Sequence, residues 1–279
     1  MNYYVHNIDH IALIISNFHL GWYDLSYIIS FFIGYIFIRI NYSKKEVILS
    51  KVQYNLLILI IYISVIVGAR LGYVFFYNPN YFYNNPSVII KFGEGGMSFH
   101  GGMLGVILTV LIFCKVNKKE FYQLADPIMP IVAFGLGLGR VANFINGELY
   151  GKVTNVSWAV IFPNVDMQPR HPSQLYEALF EGFLMALFLQ IVLFKSKIKG
   201  LVFWLFIFLY GVVRFLIEYI RLPDSHLPMY KEGLLLGVFT MGQILSLCMI
   251  LSSIMVLVWF SGGVNFFRRE KNDEFFIKK

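Results

Sequence analysis

Charge is scarce in this chain. Only 14% of its 279 residues are Asp, Glu, Lys or Arg, where soluble chains carry about a quarter. Set against 58% hydrophobic and 18% aromatic residues, that shortage excludes an ordinary soluble domain. Cysteine is nearly absent as well. Cys114 and Cys248 offer neither a pairing framework nor a metal-ligand spacing. The first twenty residues have no basic stretch and no small-residue cleavage site, so no removable signal peptide is expected. No internal repeat is evident, and the chain reads as one integral membrane domain over residues 1–279. The net charge of +7 does not point to nucleic acid, because the basic residues recur in short clusters rather than in one patch.

What is abundant is long apolar runs. A helix needs about 20 apolar residues to cross the hydrocarbon core, and seven candidates meet or approach that length, near residues 23–40, 54–77, 99–114, 124–143, 175–194, 201–219 and 234–260. The runs are continuous rather than alternating, which favours an all-α polytopic bundle over a strand barrel. Fifteen basic residues fall in one set of connections: Arg39, Lys44, Lys45 and Lys51, then Lys115, Lys118 and Lys119, then Lys195, Lys197 and Lys199, then five in the C-terminal tail. The other set holds five: Lys91, Lys152, Arg170, Arg221 and Lys231. That bias sets the N-terminus outside and the C-terminus in the cytoplasm. The outer loops, near residues 78–98, 144–174 and 220–233, are the longer ones and have room for a small folded head. The tail after Phe260 is read as disordered or surface-bound.

Three arginines, Arg70, Arg140 and Arg214, fall inside candidate spans. Each costs roughly 2.5–3.5 kcal/mol at a helix centre, so each needs a partner or a task. For Arg70, between Gly68 and Gly72, tight packing and a buried ion pair suffice. Arg140 and Arg214 fall at the outer ends of their spans, at the level of Tyr23, His100 and Glu148, which suggests a cavity open to the outer leaflet. Tyr210, Arg214 and Glu218 are four apart and share a helix face. Arg140 and Asn143 are three apart and share another. Gly135, Gly137 and Gly139 permit close helix contact or irregular backbone before Arg140. Two guanidinium forks at one level suit a phospholipid phosphate.

The segment Gly139-Arg140-Val141-Ala142-Asn143-Phe144-Ile145-Asn146-Gly147-Glu148-Leu149-Tyr150-Gly151 resembles the signature of the prolipoprotein diacylglyceryl transferases. Phe99-His100-Gly101-Gly102 resembles that family's histidine-glycine motif. Arg170-His171-Pro172-Ser173-Gln174-Leu175-Tyr176-Glu177 is similar to its loop before the fifth span. Tyr210 to Glu218, followed by Arg221, Pro223 and Asp224, resembles its sixth-span motif, and Met241-Gly242-Gln243-Ile244-Leu245-Ser246 its seventh. Cys248 departs from the pattern, near where a proline is usual. The resemblance implies seven spans in the bacterial inner membrane and no metal or organic cofactor. It implies transfer of a diacylglyceryl group from phosphatidylglycerol to the lipobox cysteine thiol of a prolipoprotein, the first step of lipoprotein maturation. Glycerol phosphate leaves and a thioether forms.

That chemistry assigns roles. The thiolate is the nucleophile, and a free cysteine has a pKa of about 8.5, so the site must help remove a proton. His100 is the candidate general base, with an ordinary pKa near working pH; the alternative is that it orients the lipid or packs against Gly101 and Gly102. Arg140 and Arg214 are the choice for the phosphate. Tyr23 and Tyr210 donate to phosphate or position the thiol, unless they are interfacial aromatics. Glu148 and Glu218 hold the arginines, with Glu148 as an alternative base. Asn143 hydrogen-bonds the headgroup or the loop carrying Glu148, and Asn146 and Gly151 of the signature count among the phosphatidylglycerol contacts. Cys114 and Cys248 do not share the site's level, so direct transfer is expected rather than a covalent enzyme intermediate.

Other polar residues draw plainer readings. His6 and His10, four apart on a possible amphipathic arm, lack further metal ligands. His19, His171 and His226 read as loop or interface residues. Glu177 and Glu181 are expected to pair with loop cations, and Arg221 with lipid headgroups. A transporter would show repeats and broken helices at the midplane. An intramembrane protease would need a serine–histidine pair or two aspartates; Gly96-Met97-Ser98-Phe99-His100 lacks the final glycine of a nucleophile elbow, and Asp126 is a single acid.

Overall fold

A computed structural model describes residues 3–16, 18–76, 79–90, 98–222 and 239–277. Lys91, Pro223, Asp224, His226, Lys231 and the start of the seventh candidate span at 234–238 lie outside them. The elements are β1 (Tyr4–Val5), β2 (Ile11–Ile15), β3 (Phe18–Gly21), α1 (Trp22–Lys44), α2 (Lys51–Phe76), α3 (Pro79–Asn84), a 3-10 turn at Pro86–Val88, α4 (Phe99–Asn117) and α5 (Phe121–Ala125). There follow a 3-10 turn at Asp126–Ile128, α6 (Met129–Ile145), β4 (Val160–Ile161), β5 (Pro169–Arg170), α7 (Ser173–Glu177), a π-helical segment at Ala178–Phe183, α8 (Leu184–Lys195), α9 (Leu201–Ile217) and α10 (Met241–Ile277).

Among the described residues, five helical stretches are long and apolar enough to cross a membrane: Trp22–Lys44, Lys51–Phe75, Phe121–Ile145, Ser173–Lys195 and Gly242–Phe260. Two shorter apolar helices, Gly101–Asn117 and Leu201–Ile217, accompany them. Burial is inverted relative to a soluble fold. Phe32, Phe75, Ile112, Leu187, Leu251 and Trp259 are exposed along the helices, while Asn41, Gln174, Glu177, Glu181 and Ser253 are fully buried. Apolar surface faces outward where only lipid would make that favourable, and polar groups turn inward to find partners. The chain is a helical membrane protein.

The chain forms two compact units, Tyr35–Pro127 and the remainder. In the Tyr35–Pro127 unit, α2 and α4 meet through glycine. A Cβ on Gly68 would lie 2.6 Å from the carbonyl oxygen of Gly101, and one on Gly105 would lie 2.5 Å from that of Ser64. Such small-residue contacts let helix backbones approach where no water-driven force holds them together. Ser50 and Gln53 form a reciprocal capping box at the start of α2, with bonds of 3.1 and 3.0 Å. Arg70, read as an ion-pair candidate, is buried and donates to the carbonyls of Val88 (2.7 Å) and Ile89 (3.1 Å), with Phe82 under its guanidinium.

In the other unit, the N-terminal arm is not the amphipathic helix that the His6–His10 spacing allowed. It is extended: β1 runs parallel to β4, which pairs antiparallel with β5, and β2–β3 is a hairpin closing on Gly21. His6 is buried between the rings of Phe144 and Phe162, at 5.5 and 5.3 Å, whereas His10 is exposed beside Asp9. The two histidines therefore serve different environments. At the start of α10, Thr240 and Gln243 form a second capping box, with both bonds at 3.1 Å. The helix then continues to Ile277, so the tail read as disordered or surface-bound is an extension of the last helix.

Candidate active site

Helix α6 delivers Arg140 three residues after Gly137. Gly137 touches Gly182 of the π-helical segment: a Cβ on Gly137 would meet the Gly182 Cα at 3.1 Å and the Ala178 carbonyl oxygen at 3.2 Å. This close approach seats Arg140 against the glutamates of the facing element. Its Nε lies 2.7 Å from Glu177 Oε2, an ionic contact without good hydrogen-bond alignment, and its Nη2 lies 3.6 Å from Glu181 Oε2. Arg214, near the end of α9, reaches Glu177 Oε1 at 3.4 Å and makes a short contact with Glu218 one turn later. Arg221 lies 3.7 Å from Glu177 Oε1 and 3.5 Å from Glu218 Oε1. Three arginines thus alternate with three glutamates.

The layers differ in exposure. The side chains of Glu177 and Glu181 are 0% exposed and that of Glu218 is 2%, while those of Arg140, Arg214 and Arg221 are 17%, 13% and 7%. The carboxylates sit behind and the cations in front. Six charges, four of them buried, are tolerable because each has an opposite partner; an unpaired buried one would cost several kcal/mol. The expectation that Glu177 and Glu181 serve loop cations holds for Glu177 with Arg221, and beyond it the two glutamates hold Arg140 and Arg214 inside the spans. Arg221 is buried in the same cluster, and its backbone bridges to Gly151.

Around this cluster the structure places the other residues singled out in the sequence. Tyr210 is buried, stacked on Phe206 at 5.9 Å, and within electrostatic range of Arg140, Arg214 and Glu181. Tyr23, in the first turn of α1, is exposed and within electrostatic range of Arg140. Asn143 is buried and donates to Glu148 Oε1 at 3.0 Å, and Asn146 donates to the same oxygen at 3.3 Å. Among the described residues Glu148 thus holds two asparagines where an arginine was expected, in a loop whose Gly147 and Leu149 take φ values of 69° and 56°. Glu218 does hold Arg214. Gly151 accepts no side chain without conflict, since a Cβ would lie 2.6 Å from the Cβ of His171 and 2.7 Å from its carbonyl oxygen. Its N–H bonds that same carbonyl at 2.9 Å. His100 is the second residue of α4, two positions after the Ser98 cap, in the other unit, and its side chain lies outside the described residues.

A scaffold beneath the signature loop went unassigned in the sequence. Gln174, fully buried, donates to the Glu148 carbonyl at 2.6 Å, and Ser173 to the Leu149 carbonyl at 3.1 Å. Arg170 is held by Asp166, with contacts of 2.5 and 3.2 Å, and lies 5.1 Å over the Tyr150 ring. The bonded guanidinium keeps the Asp166 carboxyl below its ordinary range, while burial pushes His171 below the usual histidine value. No group of three or more potential metal ligands occurs among the described residues.

The family model of prolipoprotein diacylglyceryl transferase matches residues 10–259. Proteins named phosphatidylglycerol–prolipoprotein diacylglyceryl transferase are similar along their length. That of Geobacter sulfurreducens is 44% identical over 252 residues, covering 90% of this chain and 95% of the relative. That of Rickettsia africae is 46% identical over 248 residues, covering 88% and 94%. That of Aliivibrio salmonicida is 42% identical over 253 residues, covering 91% and 88%. Such a match over almost the whole chain, with the signature residues gathered at one cluster, makes this chain a member of the prolipoprotein diacylglyceryl transferase family.

Proposed function

We propose that this chain is a transferase that moves the diacylglyceryl group of phosphatidylglycerol onto the lipobox cysteine of a prolipoprotein. The observation that carries the reading is the layered cluster, with three guanidinium groups in front of three buried carboxylates. Arg140 Nη1 has no partner among the described residues and remains available to an anion. In the reaction the peptide thiolate attacks the glyceryl carbon, an S–C bond forms, and the C–O bond to phosphate breaks. The bonding pair leaves on the phosphate oxygen of glycerol phosphate. Arg140 and Arg214 stabilise the charge that develops there, as preorganised donors do in a site shielded from water. Arg214 is steadied from behind by Glu218, and Tyr210 supplies a hydroxyl at the same level. Asn143, Asn146, Glu148 and Gly151 shape the loop that meets the headgroup, and Tyr23 lies at its rim. His100 is assigned the thiol proton on its chemistry.

The seven-span topology, with the N-terminus and the site on the periplasmic face of the inner membrane, belongs to the same proposal, as does a single integral membrane domain with a small head carrying the β1–β4–β5 sheet. It rests on the charge bias of the connections and on the match of the five long and two short apolar helices to the seven apolar runs. Purified protein mixed with phosphatidylglycerol and a lipobox peptide tests it. The peptide should gain the mass of one diacylglyceryl unit. An unchanged peptide mass, or a cleaved peptide, would refute the assignment.

A further inference from the structure

Glu177 occupies a position that the reaction chemistry alone does not call for. It is fully buried, sits at the junction of α7 and the π-helical segment, and contacts all three arginines. One oxygen serves Arg140 of α6 at 2.7 Å, and the other serves Arg214 of α9 at 3.4 Å and Arg221 at 3.7 Å. Among the described residues Glu181 pairs with Arg140 at 3.6 Å and feels Arg214 and Arg221 at longer range, and Glu218 touches Arg214 and Arg221. Glu177 is the carboxylate whose ion-pair contacts join the two sides, Arg140 of α6 on one and Arg214 of α9 with the following Arg221 on the other. We infer that Glu177 is the positioning residue that sets the distance between the Arg140 and Arg214 guanidinium groups, and so the geometry offered to the lipid phosphate.

Charge makes this role separable from mere folding. Three arginines and three glutamates sum to zero in their ionised forms. Replacing Glu177 by Gln keeps the volume and removes one negative charge, so the cluster gains +1. An anionic headgroup is then drawn in more strongly, while the two guanidinium groups lose their common support. Binding and rate therefore move apart. A misplacement of about 1 Å at reacting groups costs on the order of 10²-fold in rate.

The inference rests on the proposed transfer reaction, and its test uses the full chain in micelles containing phosphatidylglycerol, with a lipobox peptide as acceptor. For Glu177→Gln, kcat should fall by roughly 10–100-fold while KM for phosphatidylglycerol also falls. Glu177→Asp keeps the charge but shortens the reach, so its KM should return to the parent value with kcat still reduced. A parent-like kcat in Glu177→Gln would overturn the role. So would a lowered kcat with KM unchanged or raised, the mark of a smaller folded fraction. If Glu177→Gln does not elute as a monodisperse species, Glu177→Asp decides: reduced kcat per folded protein upholds the inference and parent kcat overturns it. A parent chain that transfers nothing refutes the proposed function itself, a different outcome from a parent that transfers and a variant that behaves like it.

Discussion

Two alanine substitutions, one at Gly182 and one at Gly139, should act with opposite sign. A Cβ on Gly182 would lie 2.8 Å from the Gly137 backbone nitrogen and closer still to its Cα. Carbon contacts are comfortable at about 3.5–4.0 Å, so the two backbones must part by about 1 Å or more. Overpacking of this kind costs about 1–3 kcal/mol, and the better helix propensity of Ala returns up to about 1 kcal/mol. The net loss for Gly182→Ala is about 1–2 kcal/mol, a fall in melting temperature of roughly 2–8 °C for a chain of this size. The same displacement draws Glu177 away from Arg140, so transfer should slow as well. Gly139 is different: a Cβ there meets nothing within 4 Å. Gly139→Ala should leave the melting temperature unchanged or raise it. Thermal unfolding in detergent, followed by circular dichroism, measures both. Equal stability of Gly182→Ala and parent, or a larger loss in Gly139→Ala, would refute the claim that the Gly137–Gly182 contact seats the site.

Two further perturbations follow. Asp166 is held below its ordinary range by Arg170, so its contribution is present above the unfolded carboxylate value of about 3.9 and is lost as pH falls through the lower folded value. Asp166→Asn should flatten that acid limb of a melting-temperature profile. The loss that begins nearer pH 6.5, where half-buried His171 resists protonation, should remain. Cys114 is buried and Cys248 exposed, and in the sequence neither shares the level of the arginines. Replacing both by Ala should preserve transfer measured by peptide mass, and a folded but inactive double variant would restore a covalent-intermediate route.

Legibility from sequence followed the range of the forces involved. The membrane helices could be read because each is a continuous apolar run, and their exposed Phe and Leu side chains repeat that composition outward. The Gly68–Gly72 and Gly137 contacts could be read because small residues at helical spacing have few other uses. The strands β1, β4 and β5 could not: two-residue pairings leave no alternation, and β1 finds β4 across some 150 residues. Nor could the partners of the arginines. Glu177 and Glu181 were visible as a four-residue pair at the right level, but which cation a buried carboxylate meets depends on the π-helical segment and on the Gly137–Gly182 approach. Counting charges would have pointed there, since three buried arginines at one level demand about as many carboxylates. For Glu148 the expected partners were arginines, and the structure gives it Asn143 and Asn146, in a loop whose backbone is left-handed at Gly147 and Leu149.

The most direct test removes the two cations on which the phosphate chemistry depends. Arg140→Gln and Arg214→Gln, combined in one chain that still elutes as a monodisperse protein, should leave a lipobox peptide at its starting mass after incubation with phosphatidylglycerol, under conditions in which the parent converts it fully. Conversion at a rate within about tenfold of the parent would contradict the account, because a single lost oxyanion donor already costs about 10²–10³-fold.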